Sequence, residues 1–528
     1  MSKDKPNILH LFTDMQRFDT IGALGNPVIR TPNLDRLCRE GVAFSNAFTP
    51  SPVCVAARAS MIFGQYPMRT GTYENSRMPT DARSTVMEAL QKAGYRTHGI
   101  GKCHFTPDAF ALRGFDAREI QEEGGASAEA LPKSDYLRYL KERGYDHICE
   151  AYGVRGEMYY VPQPSQVPAA DHPTQWIGDR TVDYVRAATD GEPWYLYSSF
   201  IHPHPPLTPP NPWHKLYRPA TMPLPNVPDG YESLLTYVNH AQNRYKYRDK
   251  GTDPNLARTI VAYYYACISF VDYQVGRILD ALEHTGQIDN TLIVFASDHG
   301  ELLGDYRSYG KRSMHDASVR VPMIARMPGR FDAGTVCDRP VSLVDLAPTF
   351  LSVAGASLGT HDPDGVDLHD VVTGASDRRY VYSQLAFSGE GMNRSLQGEG
   401  FADNPEWTDA ERIAAYSSYM CVSNRWKYIY SAPDNQEYLF DRVRDPRETR
   451  NRKGVTFASD ALDEHRGALL SWLRDGGETA GLDGDRWRRF PQPKVDSDPD
   501  SGLLIQDGYT PWAQMEIPGY TRARDALA

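Results

Sequence analysis

Leu292-Ile293-Val294-Phe295-Ala296-Ser297-Asp298-His299-Gly300 decides the fold. Its first five residues are apolar without alternation, as in a strand covered on both faces. The run then stops at a polar turn that carries a carboxylate and an imidazole. Upstream, Asn255–Glu283 has a helical period: Val261, Tyr264, Ile268, Val271, Val275, Ile278 and Leu282 recur at steps of three and four, and Gly286 ends it. Three more segments repeat the pattern of strand and polar turn. Ile8–Phe12 runs on to Asp14, and the less apolar Tyr95–Ile100 leads into Gly101-Lys102-Cys103-His104. Trp194–Ile201 leads into His202-Pro203-His204-Pro205. Strands alternating with helices specify an α/β fold with a doubly wound, mostly parallel sheet. Ligands bind beyond the carboxyl ends of such strands. Asp14, Lys102, His104, His202, His204, Asp298 and His299 all fall there.

The chain has 528 residues, too many for one ordinary core. Residues 1–375 form the expected α/β domain. After that the texture changes: SSYMCVSNRWKYIYS and NQEYLFDRVRDP read as paired antiparallel strands separated by Ala432-Pro433-Asp434-Asn435, with a helix near Ala458–Arg474. This gives a smaller α+β subdomain over residues 376–482. The tail, 483–528, has weak periodicity but contains Trp512, Met515 and Ile517, which need burial. It reads as an arm packed either on a neighbouring subunit, in a dimer or tetramer, or on the core; a solvated tail is the bland alternative, disfavoured by those apolar residues.

A net charge of -11 leaves no basic surplus for a general nucleic-acid binder. An acidic protein that binds an anion must concentrate its cations locally. The apolar run after Met1-Ser2-Lys3-Asp4-Lys5 is about six residues, shorter than a signal-peptide core. The most continuously apolar stretch, Thr259–Val271, falls short of the roughly 18 residues of a membrane span. The seven cysteines show no CxxC or zinc-like spacing, which suggests a reduced, cytoplasmic protein without a membrane partner.

Cys54 follows Ser51-Pro52-Val53 and precedes Val55–Phe63, which reads as helix. It therefore sits at a helix N-terminus, where free N–H groups and the macrodipole favour an anion. Arg58 is four residues on, about one turn, and reaches the same spot. A lone cysteine is more often a small buried hydrophobe, and a lone Asp after a strand is more often a helix cap. Asp14, Asp298 and His299 together can hold a divalent cation.

These residues carry a family resemblance. Cys54-Val55-Ala56-Ala57-Arg58 matches the C-x-(P/A)-x-R pattern of type I sulfatases, members of the alkaline phosphatase superfamily, and continues as Ala59-Ser60-Met61 to Gly64-Gln65-Tyr66-Pro67. Pro6-Asn7-Ile8 through Asp14, Thr31-Pro32-Asn33-Leu34-Asp35-Arg36-Leu37, Gly101-Lys102-Cys103-His104, Ser297-Asp298-His299-Gly300, Gly310-Lys311 and Val321-Pro322-Met323-Ile324 are similar to further family motifs. The similarity covers roughly residues 6–330.

The resemblance implies that a formylglycine-generating enzyme oxidises Cys54 to Cα-formylglycine. The hydrated aldehyde then attacks sulfur through one hydroxyl and expels sulfate through the other. It implies one divalent metal ion on Asp14, Asp298, His299 and residue 54, with Ca2+ as first choice and Mn2+ or Mg2+ as alternatives. Arg58 holds the diol, and Lys102, His204 and Lys311 clamp the sulfate and leaving oxygens. His104 is the base that releases sulfate, and His204 or Lys311 the leaving-group acid. Asn75 and His315 join the candidate substrate contacts, with simple packing as the alternative for His315. Met15 stands where the family often has a second acid or amide. A thioether is a poor ligand for a hard cation, so either Gln16 or water fills that position, or Met15 faces the core.

The implied function is arylsulfatase-like hydrolysis of sulfate monoesters. The alternative is the phosphonate monoester hydrolase and phosphodiesterase branch, which TPNLDRLCREGV and the stretch from Glu74-Asn75 to Asp81-Ala82-Arg83 resemble. That branch tends to lack the basic pair at Lys102 and His104, which favours the sulfatase reading. A chain whose Cys54 is never converted would instead be an anion-binding pseudoenzyme.

Overall fold

The computed structural model describes residues 5–123, 130–145, 147–148, 150–155, 159–245, 253–386 and 406–492. Its centre is an eight-stranded sheet built from β1 (Asn7–Asp14), β2 (Val42–Phe44), β4 (Arg96–Gly101), β5 (Ala117–Ile120), β6 (Trp194–Pro203), β7 (Thr291–Ser297), β8 (Met323–Arg326) and β9 (Thr335–Cys337). The spatial order is β5-β4-β6-β1-β7-β8-β2-β9. A short parallel pair, β3 (Ala47–Phe48) with β10 (Val341–Ser342), lies outside it.

The five strands from β5 to β7 are parallel. β1, β6 and β7 are buried at every position, as their mostly apolar, non-alternating runs require. Alternate side chains of β1 point to opposite faces. Ile8 and Phe12 pack with Val55, Met61, Leu346 and Phe350. Leu9 and Leu11 pack with Val271, Val275, Ile278 and Leu282 of the helix Pro254–His284. The sheet is thus covered on both faces, as a doubly wound α/β fold demands.

The remaining edge departs from the parallel pattern. β8 runs antiparallel to both β7 and β2, and β2 pairs in parallel with β9. β2 and β9 are three residues each, too short to carry a hydrophobic period.

After residue 380 the chain forms an antiparallel sheet of β11 (Val381–Ala386), β12 (Ser417–Val422), β13 (Trp426–Ser431) and β14 (Gln436–Asp441), paired in chain order. The stretch Ser417–Ser431 is therefore a hairpin in itself, not a single strand. Ser423-Asn424-Arg425 makes the turn, closed by the Ser423 N–H on the Trp426 carbonyl at 2.9 Å. The helix Ser459–Asp475 packs Leu469 and Leu473 against this sheet. The packed chain continues past residue 482: Trp487 stacks on Tyr430 with ring centroids 3.9 Å apart, and Phe490 is buried in the same core. Trp512, Met515 and Ile517 lie outside the described residues. Among the described residues, six cysteines are buried and unpaired, and no helix is long and apolar enough to cross a membrane. Cys149 lies outside the described residues.

A buried charge network joins the two sheets. Lys427 on β13 is fully buried and donates to the Met314 carbonyl at 2.8 Å, to Asp316 Oδ1 at 2.9 Å and to Glu448. Arg442 adds a second cation on Asp316 Oδ2 at 3.2 Å. The network anchors the loop that follows Lys311. Removing one partner of such a group strands the other charges in a low-dielectric setting, which costs about 3–5 kcal/mol. Lys427→Met is expected to lower the urea unfolding midpoint accordingly. An unchanged midpoint would show that the network contributes nothing to stability.

Candidate active site

Strand register places the first chemical groups. Thr13 of β1 pairs with Ser297 of β7, so Asp14 and Asp298 emerge side by side. Gly101 of β4 pairs with Ser199 of β6, so Lys102 emerges on the other side of β1. Facing them is the helix Cys54–Phe63, buried along its whole length. It begins at Cys54 because Val53 is extended (φ -144°, ψ 132°), and it ends at Gly64, whose φ of 66° is the left-handed conformation glycine takes without strain. Val53 offers no side-chain cap. Asn75 does this from outside: its Oδ1 accepts the Val55 N–H at 3.1 Å.

The Cys54 sulfur is the focus of the cluster. Lys311 Nζ lies 2.6 Å from it, His299 Nε2 3.3 Å and Asp14 Oδ1 3.8 Å. Ligand atoms of Asp14, Cys54, Asp298 and His299, all buried, lie within 4.8 Å of one another. Two carboxylates, one imidazole nitrogen and a fourth donor suit a divalent cation. His299 is oriented for it: Nδ1 hydrogen-bonds the Gly300 carbonyl at 3.0 Å, which leaves Nε2 facing the cluster.

Met15 does not join this set. It is buried and sits at φ 69°. Its N–H donates to Asp298 Oδ1 at 3.1 Å, and its carbonyl accepts from the Tyr264 hydroxyl at 2.6 Å. A left-handed backbone at a non-glycine residue is strained, and these two bonds hold it there. Gln16 turns elsewhere: its Oε1 accepts from Thr13 Oγ1 at 3.0 Å and its Nε2 donates to Thr20 Oγ1 at 3.1 Å.

Cations surround the acids. Arg58 is buried and fully engaged. Nε donates to Asp298 Oδ2 at 3.0 Å, Nη2 to Asp14 Oδ2 at 3.3 Å, and Nη1 to the Lys102 carbonyl at 2.7 Å and Tyr197 Oη at 3.0 Å. The Lys102 ammonium bonds both Asp14 Oδ2 and Glu123 Oε1. His104 takes a left-handed φ of 53°, donates its N–H to Glu122, and lies near enough to Cys54 to help lower the thiol pKa. His204 Nδ1 faces the Pro205 carbonyl at 2.7 Å, leaving Nε2 directed at Glu123 Oε1, 3.5 Å away.

These neighbours set the protonation states. Burial and the Cys54 sulfur push the Asp14 carboxyl up, but Lys102, His204 and Lys311 outweigh them and hold it at about 2. Burial likewise opposes a thiolate at Cys54, yet Lys311, Lys102 and His299 bring its pKa well below the ordinary thiol value. Burial would discharge His299, but Asp298 beside it raises its pKa.

Two histidines face away from this centre. His202 is held by Thr174 at 3.2 Å and Thr208 at 3.3 Å, and burial followed by the nearby His204 lowers its pKa to about 3. His315 hydrogen-bonds Ser313 at 2.6 Å and packs on Tyr306 with centroids 4.4 Å apart. Burial and Lys427 lower its pKa to about 3.

Four residues of the site go unnoticed in the sequence. Tyr197 and Ser199 stand two apart on β6 and both accept from Arg58 Nη1, Ser199 Oγ at 3.2 Å. Their two-residue spacing was the available signal. Glu122 and Glu123 follow β5 in a loop with no motif around them.

The sulfatase family profile matches residues 6–356, and the profile of the N-sulphoglucosamine sulphohydrolase C-terminal region matches residues 304–464. An arylsulfatase of Clostridium perfringens is 29% identical over 508 residues, covering 91% of this chain and 97% of that protein. A choline-sulfatase of Rhizobium meliloti is 31% identical over 466 residues, covering 85% and 83%. The solved phosphonate monoester hydrolase of Silicibacter pomeroyi superposes with a TM-score of 0.75 at 25% identity, covering 90% of this chain and 96% of its own.

Proposed function

The chain belongs to the sulfatase family and is a hydrolase acting on sulfate esters, and we propose that Cys54, oxidised to formylglycine by a formylglycine-generating enzyme, supplies its nucleophile. The observation that carries this reading is the placement of the Cys54 side chain. It lies at a buried helix N-terminus, 2.6 Å from Lys311 Nζ and among Asp14, Asp298 and His299. A structural thiol does not need two carboxylates, two histidines and two lysines around it.

Asp14, Asp298, His299 and residue 54 would hold a divalent cation, Ca2+ first, which would supply Lewis-acid polarisation and lower the pKa of a bound hydroxyl. The rest is the work of this chain's side chains. Arg58 is anchored to both carboxylates and keeps its charge beside residue 54. Lys102, His204 and Lys311 bind the sulfate oxygens and stabilise charge as it moves to the leaving oxygen. Lys311 or His204 donates a proton to that oxygen, and His104 removes one at residue 54 to release sulfate. Asn75 acts first on the protein itself, by capping the helix that carries residue 54.

A second reading, hydrolysis of phosphonate monoesters or phosphodiesters, is favoured by the similarity to the Silicibacter pomeroyi enzyme. The buried Lys102, set against residue 54 together with His104, favours sulfate. The two readings separate on kcat/KM for an aryl sulfate against an aryl phosphonate monoester. The sulfate is expected to lead by at least about tenfold, roughly 1.4 kcal/mol in transition-state binding. A phosphonate preferred by orders of magnitude would reverse the assignment.

A further inference from the structure

Glu123 has no place in the mechanism above, yet it touches two of its cations. Its Oε1 bonds the Lys102 ammonium and lies 3.5 Å from His204 Nε2. Its Oε2 lies 3.7 Å from Arg155 Nη2, which holds the carboxylate between the site and that outer cation. Lys102 is fully buried, whereas the Glu123 side chain keeps 19% of its exposure, so Glu123 is the outer member of the group. Burial raises its pKa, but His204, Lys102 and Arg155 bring it well below the carboxylate range, so it is charged. Asp14, Glu123 and His204 also bring ligand atoms within 4.8 Å of one another. The Lys102 ammonium bonds both of these carboxylates and already supplies the positive charge a second metal ion would bring.

The charge balance of the reaction gives this carboxylate a use. Hydrolysis converts ROSO3⁻ and water into ROH, SO4²⁻ and a proton: the substrate is a monoanion and the product a dianion. A phosphate monoester is also a dianion above its second pKa. A fixed negative charge on two clamp cations penalises a bound dianion roughly twice as much as a monoanion, because the Coulomb energy scales with ligand charge.

We propose that Glu123 is a specificity-determining residue that keeps the Lys102–His204 clamp selective for monoanionic esters, against dianionic phosphate monoesters and the product sulfate. The inference rests on the sulfate-ester reading of the same site. It commits to a charge effect, which separates it from a steric plug and from a role in holding Lys102 in place.

The test uses full-length, metal-loaded protein and two substitutions, Glu123→Gln, which removes the charge, and Glu123→Asp, which keeps it. In a Cys54→Ala background, calorimetry measures binding of inorganic sulfate, a dianion, and methanesulfonate, a monoanion. Glu123→Gln is expected to tighten sulfate by at least about tenfold and methanesulfonate by about threefold, with Glu123→Asp close to the parent. In converted enzyme, Glu123→Gln is expected to lower the ratio of kcat/KM for 4-nitrophenyl sulfate over 4-nitrophenyl phosphate by about tenfold and to strengthen product inhibition by sulfate. Unchanged affinities would identify a steric plug, since glutamine keeps the size of glutamate, and equal weakening a positioning role. Either result, or equal tightening of both anions, overturns the proposal. The binding measurements need no turnover, so a parent enzyme inactive on aryl sulfates would defeat the reaction assigned to the site while the anion selectivity is still read separately.

Discussion

Cys54→Ala is expected to lose about 10^5-fold in kcat/KM toward an aryl sulfate while retaining the fold, read by circular dichroism and an unchanged elution volume. The size follows from the loss of a nucleophile that acts as one unit with its surroundings. The fold is expected to survive because the helix Cys54–Phe63 starts from the extended Val53 and the Asn75 cap, neither of which uses the sulfur. Divalent-ion affinity should weaken as well, since one of four converging donors is gone. Cys54→Ser separates nucleophile from hydrolysis: a serine has one hydroxyl and nothing to expel the sulfate it accepts. It is expected to give at most a single turnover and a stable sulfated enzyme. Multiple turnover by Cys54→Ser at wild-type rates would remove the need for a second hydroxyl at this position.

Lys102→Ala is expected to cost at least about 10^3-fold in kcat/KM for the aryl sulfate, mostly in kcat, as for loss of a preorganised charge that acts on the transition state. The ammonium sits between Asp14 and Glu123 with no solvent contact. Its removal also leaves those two carboxylates facing each other. Lys102→Arg is expected to rescue little, because a planar guanidinium does not fit a point-charge site closed by Asp14, Glu123 and the adjacent Arg58. Loss confined to KM would instead make Lys102 a ground-state binding residue. Loss of phosphonate turnover much larger than loss of sulfate turnover would contradict its assignment to sulfate chemistry.

β1, β6 and β7 are legible in the sequence because strands buried on both faces do not alternate, and their mostly apolar runs, interrupted inside only by His10 in β1 and by Ser198 and Ser199 in β6, have no other stable home. The helix Pro254–His284 is legible because thirty-one residues sample its period many times over. The three-residue β2 and β9 give no period at all and are fixed by the neighbours they pair with. The hairpin inside Ser417–Ser431 is hidden because Val422 and Trp426 flank a turn with no glycine or proline; Ser423 closes it instead. The site divides along the same line. Asp14, Asp298, His299 and Lys102 follow strand ends, where topology dictates that ligands bind. Cys54 and Arg58 share a helix turn. Glu123 reaches Lys102 only through the fold, from a loop that carries no local pattern. Met15 shows the limit in the other direction: its side chain is the wrong chemistry for a metal, and its contribution lies in the backbone N–H it gives to Asp298.

The central claim is that residue 54 works as formylglycine and not as a thiol. Mass spectrometry of the tryptic peptide ending at Arg58, with turnover measured on the same preparation, tests it directly. Across preparations made with and without a formylglycine-generating enzyme, the peptide is expected to carry the aldehyde mass in a fraction that rises in proportion to kcat. A fully active preparation in which Cys54 is an intact thiol would contradict the account.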